Sequence, residues 1–368
     1  MNELNESGGK LENNQALSEI QKLLELAVSR NASDLHIMVG AYPTLRIDGN
    51  LTPITNSPIP TPENVERIVL SLCSPEQKEI LLTNKEIDFS FALGELARFR
   101  VNAFHQKGYL AASLRLIPAK ISTMEELHLP RVLQNFTKLK QGLVLVTGPT
   151  GHGKTTTLAS MVNQINEERS AHIITIEDPI EYIYPSRKSL IAQREMNLDT
   201  HSWEMALRSA LREDPDVVLV GEMRDYDTIS SVLTVAETGH LVFSTLHTNS
   251  ASQTIDRIID VFPLQQQVQA RLQLSGVLSA VISERLVPAI DGGRLPVTEI
   301  LIANPAVSTI IRDGKTHLLD NVIRTSADSG MTTLENSMAT LIRSGNVSLD
   351  EAIAYCLNPE DLMRLVRS

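Results

Sequence analysis

Residues 148–155 read GPTGHGKT, a full match to the pattern G-x-x-x-x-G-K-[ST]. Gly148, Gly151 and Gly153 let successive backbone N–H groups turn inward, which is how a loop holds a phosphate anion. Lys154 brings a cation to the β- and γ-oxygens of a nucleotide, and the Thr155 hydroxyl is of the type that ligates Mg²⁺. Pro149, Thr150, His152 and Thr156 complete the loop and its junction with the next segment. The apolar run GLVLVT precedes the motif and TTLASMVNQI, with helical spacing, comes after it. That strand–loop–helix frame separates a phosphate loop from a chance glycine-rich turn, and the helix adds its N-terminal dipole. The chemistry expected is binding and hydrolysis of ATP with Mg²⁺.

Hydrolysis also needs a carboxylate to orient or deprotonate the attacking water, and a partner for the metal shell. Two acidic clusters follow the next apolar runs: TIEDPIEY, with Glu177, Asp178 and Glu181, and DVVLVGEMRD, with Glu222 and Asp225. The carboxyl ends of strands in an open parallel sheet face the ligand crevice. Glu222 is therefore expected to be the general base, with Glu177 supporting the metal or the water network. Both would otherwise be solvated loop charges, and Asp178, which precedes a proline, suits a turn cap. His240 and His247 bracket the strand LVFSTL. A lone histidine beside a strand is more often structural, but a pair beside a nucleotide would sense the γ-phosphate and couple hydrolysis to motion.

The elements that must carry these groups are readable from periodicity. Residues 1–16 are rich in Asn, Glu and Gly and read as a disordered tail. Leu17, Ile20, Leu24 and Val28 mark an amphipathic helix. SDLHIMV, TLRIDGNLTPI, DFSFAL, ARFRVNAF and AASLRLIP alternate apolar and polar residues around a helix near 62–82, giving a small α+β domain over 17–118. A linker and helix cover 119–140. From Gly142, the continuous apolar runs GLVLVTG, HIITI, DVVLV and HLVFSTL alternate with helical segments, as in a parallel sheet buried on both faces. The ATPase core is expected over 141–290 and a helical C-terminal region over 291–368. Residues 264–287 and 297–368 read as mostly helical, with a turn or short strand pair at AIDGGRLP.

Composition narrows the function classes. Apolar residues are 42% and charged residues 21% of 368, an ordinary globular mix for two domains. The formal net charge is −11 and aromatic residues are 4%, both unfavourable for a nucleic-acid motor. Cys73 and Cys356 are the only cysteines, so there is no four-cysteine zinc site, and this usage suits a reducing compartment. No run approaches the ~18 apolar residues of a spanning helix, so any membrane association is expected to be peripheral.

Taken together, these stretches resemble the secretion-type ATPases of the type II/type IV pilus superfamily, closest to its pilus retraction (twitching motility, PilT-like) members. SDLHI, LRIDG, DFSFAL, ARFRVNAF, GLVLVTGPTGHGKTTTLASM, HIITIEDPIEY, ALRSALREDPDVVLVGEMRD, AETGHLVFSTLHTNSA and TIDRIIDVFP carry the resemblance, in order, over roughly 33–263. The resemblance implies a PAS-like N-terminal domain, a RecA-like core, and a homo-hexamer acting at the cytoplasmic face of the inner membrane. It implies a pilus platform protein and other pilus ATPases as partners. Glu177 matches the Asp box, Glu222 the Walker B acid, and His240 and His247 the His box. Arg100 and Arg115 match N-terminal arginines that reach a nucleotide, and Arg98 is an equal chemical alternative. NPAVSTIIRDGK at 304–315 resembles a C-terminal helical motif of retraction members, with Val307, Ile310 and Ile311 on one face and Arg312 and Lys315 on another. Two departures stand out: Ser244 replaces a glycine, and His152 stands where Ser or Ala is usual and is expected to point away from the phosphates. Competing readings are an extension or type II secretion ATPase, and a regulatory paralogue that binds nucleotide without turnover.

Overall fold

The computed structural model describes residues 17–47, 49–94, 96–117 and 120–367. The tail expected over 1–16 lies outside the described residues, as does the expected domain end at Pro118. The chain divides into two compact units, Met1–Lys120 with Pro179–Ile183 and Ile121–Asp178 with Tyr184–Ser368.

In the N-terminal unit, helix α1 (17–29) buries Ile20, Leu23, Leu24 and Ala27, the one-sided stripe its spacing predicts. Six antiparallel strands follow: β1 (Asp34–Met38), β2 (Thr44–Ile47), β3 (Asn50–Pro53), β4 (Glu86–Leu93), β5 (Ala97–Gln106) and β6 (Tyr109–Ile117), in the order β3-β2-β1-β6-β5-β4. Helices α2 (Pro62–Leu72) and α3 (Pro75–Asn84) each begin with a proline behind a hydroxyl cap, Thr61 and Ser74. Val65, Ile68, Val69 and Leu72 of α2 join Leu35, Ile37, Phe99, Val101 and Leu114 of the sheet in one core.

The second unit is built on a seven-stranded sheet. Its strands are β7 (Gly142–Thr147), β8 (His172–Glu177), β9 (Leu190–Glu195), β10 (Val217–Val220), β11 (Leu241–Leu246), β12 (Leu278–Pro288) and β13 (Arg294–Ile302), ordered β13-β12-β7-β11-β10-β8-β9. All neighbours are parallel except β12 and β13. Strands β7, β10 and β11 are buried at every residue, as their unbroken apolar runs require. The covering helices include α5 (Lys154–Glu168), α6 (Trp203–Ala210), α7 (Tyr226–Glu237), α8 (Ala251–Asp260) and α9 (Gln267–Val277), with short α4 (Leu133–Phe136) ahead of the sheet.

Residues 278–287 and 297–302 are strand, not the helix their apolar content suggests. A buried strand and a buried helix give the same short apolar run, and β7, the neighbour that draws β12 into the sheet, is remote in sequence. The turn expected at AIDGGRLP is the tip of this long hairpin. Helices resume with α10 (Pro305–Arg312), α11 (Leu319–Thr325), α12 (Leu334–Arg343), α13 (Leu349–Tyr355) and α14 (Pro359–Arg367). Val307 and Ile311 of α10 are buried while Arg312 and Lys315 are exposed. Among the described residues no helix is long and apolar enough to cross a membrane.

Candidate functional site

Because β7, β8, β10, β11 and β12 are parallel, the residues that come after them emerge at one edge of the sheet. The loop after β7 runs from Gly148 to Gly153, with φ of 142° at Gly148 and 95° at Gly153. A β-carbon on Gly148 would stand 2.2 Å from the backbone oxygen of Glu284, and one on Gly153 would stand 2.5 Å from Glu284 Oε1. Glycine is required there by space as well as by conformation.

Lys154 opens α5 and is only 7% exposed. Its ammonium donates to the carbonyls of Gly148 at 2.8 Å and Pro149 at 2.9 Å, and lies 3.5 Å from His247 Nδ1. That nitrogen also stands 3.4 Å from Thr150 Oγ1. His247 Nε2 in turn lies 3.4 Å from Glu222 Oε2. A continuous polar chain thus crosses the sheet from the end of β7, past β11, to the end of β10. Gly221 and Met223 on either side of Glu222 are held by hydrogen bonds to neighbouring strands, Gly221 N–H to Ile176 O at 2.8 Å and Met223 N–H to Thr245 O at 3.0 Å. Arg224 Nη2 lies 2.5 Å from Glu222 Oε1. Thr155 and Thr156 are half-buried in the first turn of α5.

The structure distributes the other nominated residues differently. Glu177 is buried at the end of β8, where its Oε1 accepts from Thr175 Oγ1 at 2.7 Å and Gln193 Nε2 at 3.4 Å. Three strand spacings separate β8 from β7, about 14 Å between backbones. Asp178 is exposed, and Asp225 caps α7 through the Thr228 N–H. His240 is a correction. It stands before β11, at the opposite edge of the sheet, with Nδ1 3.1 Å from Val235 O and 3.0 Å from Thr238 Oγ1. The six residues of β11 put it about 20 Å from His247, so it secures the end of α7 and does not join the phosphate loop. Ser244, fully buried in β11, donates to Val220 O at 2.8 Å and so satisfies its hydroxyl inside the sheet.

Arg100 and Arg115 belong to the N-terminal unit and are direct cross-strand partners on β5 and β6. Like charges in that relation are unfavourable unless offset. Asp34 accepts from Arg115 Nε at 2.9 Å, and Glu181 lies 3.5 Å from Arg100. Arg98 donates to Ser90 Oγ at 2.6 Å.

His152 turns away from the loop, as its position predicts, and takes a partner that the sequence does not disclose. Its Nδ1 accepts the backbone N–H of Leu286 at 3.0 Å, and its ring packs near Tyr355 with centroids 6.5 Å apart. Burial, then the charges of Arg285, Arg294 and Lys154, hold its pKa below the ordinary value, and a neutral imidazole is what that hydrogen bond requires. Among the buried acids that sequence reasoning missed, Glu284 and Glu299 lie beside α5 and α8. Glu284, on β12, accepts from Thr157 Oγ1 at 2.6 Å, and burial pushes its carboxyl up to about 7 against the pull of Thr157 and Lys154. Glu299, on β13, accepts the Ala251 N–H at 2.7 Å, fixing the start of α8 just beyond His247, and burial raises it to about 7 also. The available signal is a charged residue inside an apolar run, VISERLV and VTEILI.

Known proteins resemble the chain in sequence and in fold. The profile of the type II/IV secretion system protein family matches residues 11–354. The chain is 45% identical over 343 residues to the type IV pilus retraction ATPase PilT of Pseudomonas aeruginosa, covering 93% of this chain and 99% of that protein. It is 49% identical over 321 residues to a twitching motility protein of Neisseria gonorrhoeae, covering 87% and 86%. A crystal structure of the pilus retraction motor PilT with bound ADP superposes with a TM-score of 0.87 at 45% identity, covering 94% of this chain and 99% of that one.

His152 yields a pH prediction. The folded chain holds it neutral while the unfolded chain takes a proton at the ordinary value of 6.5, so its stabilisation is present above 6.5 and is lost as pH falls through the lower folded-state value. The Tm gap between wild type and His152→Ala should narrow on passing from above to below that value. A gap that stays constant or widens would exclude the neutral-acceptor role.

Proposed function

Because the chain belongs to the family of type II/IV secretion system proteins, we propose that it is an ATP-hydrolysing motor for type IV pilus retraction, the activity named for its full-length relatives. The observation that carries the hydrolytic reading is the polar chain Lys154–His247–Glu222 at the edge where the phosphate loop begins. Lys154 would exchange its loop carbonyls for the β- and γ-oxygens of ATP. The Thr155 hydroxyl would ligate Mg²⁺, whose charge offsets that of the phosphates. Glu222 would take the proton of the attacking water. His247, touching both Lys154 and Glu222, would report the γ-phosphate to the base. Glu177, near the neighbouring edge of the sheet, would support the metal or water network.

We extend the proposal to assembly. The chain would act as a homo-hexamer, with Arg100 and Arg115 supplying positive charge to a nucleotide. It would work at the cytoplasmic face of the inner membrane on a pilus platform protein and alongside other pilus ATPases, with no nucleic-acid partner. The exposed Arg312 at the end of α10 and Lys315 just beyond it would transmit nucleotide state to the platform. The extension or secretion motor is the competing reading within the family. Another is a regulatory paralogue without turnover, which the intact Lys154, Thr155 and Glu222 oppose.

Lys154→Ala should abolish turnover. Glu222→Gln should keep ATP binding and lower turnover at least ~10²-fold, because the amide cannot accept the proton. A Glu222→Gln protein turning over at the native rate would move the base elsewhere. Arg100→Ala mixed with Lys154→Ala chains should recover some activity if arginines act between subunits; a mixture as inactive as both parents would argue against it. Direction is tested in cells. Deletion of the gene should leave surface pili and abolish twitching, whereas bald cells restored by this gene alone would indicate an extension motor.

A further inference from the structure

Strand β12 passes against both ends of the phosphate loop, and Glu284 is the residue at the crossing. Its backbone oxygen occupies the space beside Gly148, where the loop begins, and its Oε1 the space beside Gly153, where the loop ends. Its Oε2 accepts the hydroxyl of Thr157 at 2.6 Å, three residues after Lys154 on α5. The residue is 2% exposed and sits between Ile282 and Leu286 on a strand whose other buried residues include Val281 and Val287. A carboxyl in such a place costs free energy unless it is hydrogen-bonded, and an apolar residue would have avoided the cost.

We propose that Glu284 is a positioning residue for Lys154. By accepting the Thr157 hydroxyl it pins the first turn of α5 to β12, and so fixes where the Lys154 ammonium stands against a bound triphosphate. The ammonium is held on its other side by the carbonyls of Gly148 and Pro149, in the part of the loop that rests on the Glu284 backbone. One residue thereby sets both the loop and the helix that share Lys154. The role needs an acceptor oxygen and not a charge, so glutamine should serve. This assignment rests on the reading of the loop as an ATP site.

The test uses the full chain with Glu284→Gln, Glu284→Ala, Thr157→Val and the double variant Glu284→Ala/Thr157→Val. ADP affinity, KM for ATP, kcat and Tm are measured for each. Glu284→Gln should stay within about two-fold of wild type in all three nucleotide constants. Glu284→Ala and Thr157→Val should each raise KM and the ADP Kd about ten-fold, the cost of a lost bond that leaves a buried polar group unpaired, with a smaller effect on kcat. The double variant should be no worse than the worse single one, because both remove the same bond. If Glu284→Ala does not fold, the near-isosteric Thr157→Val decides. A folded Thr157→Val or Glu284→Ala protein with native KM and ADP affinity would overturn the assignment, as would a Glu284→Gln protein as impaired as Glu284→Ala. A wild-type chain that binds no ADP would instead sink the nucleotide reading and this proposal with it.

Discussion

The backbone of β12 approaches the phosphate loop so closely that a side chain at Gly148 has nowhere to go. The other features of the site depend on that approach. Thr147, the last residue of β7, meets Ser283 through their hydroxyls at 2.9 Å, so the two strands stay in register up to the point where the loop departs. Beyond it, Glu284 and Leu286 satisfy the loop and α5 in place of a strand partner. The loop's shape is set from outside by a sheet neighbour more than a hundred residues away in sequence. Its glycines are the condition for that approach.

Buried charge is arranged by the same hairpin. Glu284 and Glu299 are both buried, and both are answered by donors at the beginnings of helices, Thr157 in α5 and the Ala251 N–H of α8. Helix α5 begins at Lys154 itself, and α8 begins shortly after His247. A fixed acceptor at each start limits how far either side chain can drift, and the narrow geometry of Lys154–His247–Glu222 depends on such limits. Burial opposes the charge of each and raises its pKa to about 7, against the pull of Lys154 on Glu284 and of Arg285 on Glu299.

Much of this was legible in the sequence. The phosphate loop, its flanking strand and helix, and Glu222 after an apolar run follow from residue type and spacing alone. So does α1, whose stripe is local. The hidden part is non-local. β9 lies at the sheet edge with mixed polarity, and β12 reads like the end of α9, so neither declares itself without its neighbours. The acceptor for Thr157 lies 127 residues away, and the donor to His152 lies 134 away. His240 is the opposite case. The length of β11 already implies that residues at its two ends cannot meet the same phosphate, so grouping it with His247 overlooked a distance the sequence contained.

Three consecutive residues of β12 face alternate ways. Glu284 and Leu286 meet the phosphate loop and α5, while Arg285 donates to the carbonyl of Tyr355 at the end of α13 at 2.7 Å. Past the turn of the hairpin, β13 carries Thr298, whose N–H donates to Ser337 of α12 at 3.2 Å, and Ile300, which bridges to Thr332. In mechanical terms the β12–β13 hairpin is a shaft with the glycine-rich loop keyed to one part of it and the C-terminal helices keyed to others. The bonds of Arg285, Leu286 and Thr298 each join a backbone group to a side chain, and Ile300 and Thr332 join backbone to backbone. The loop and the C-terminal helices therefore share one support, so that a displacement of the hairpin would carry both.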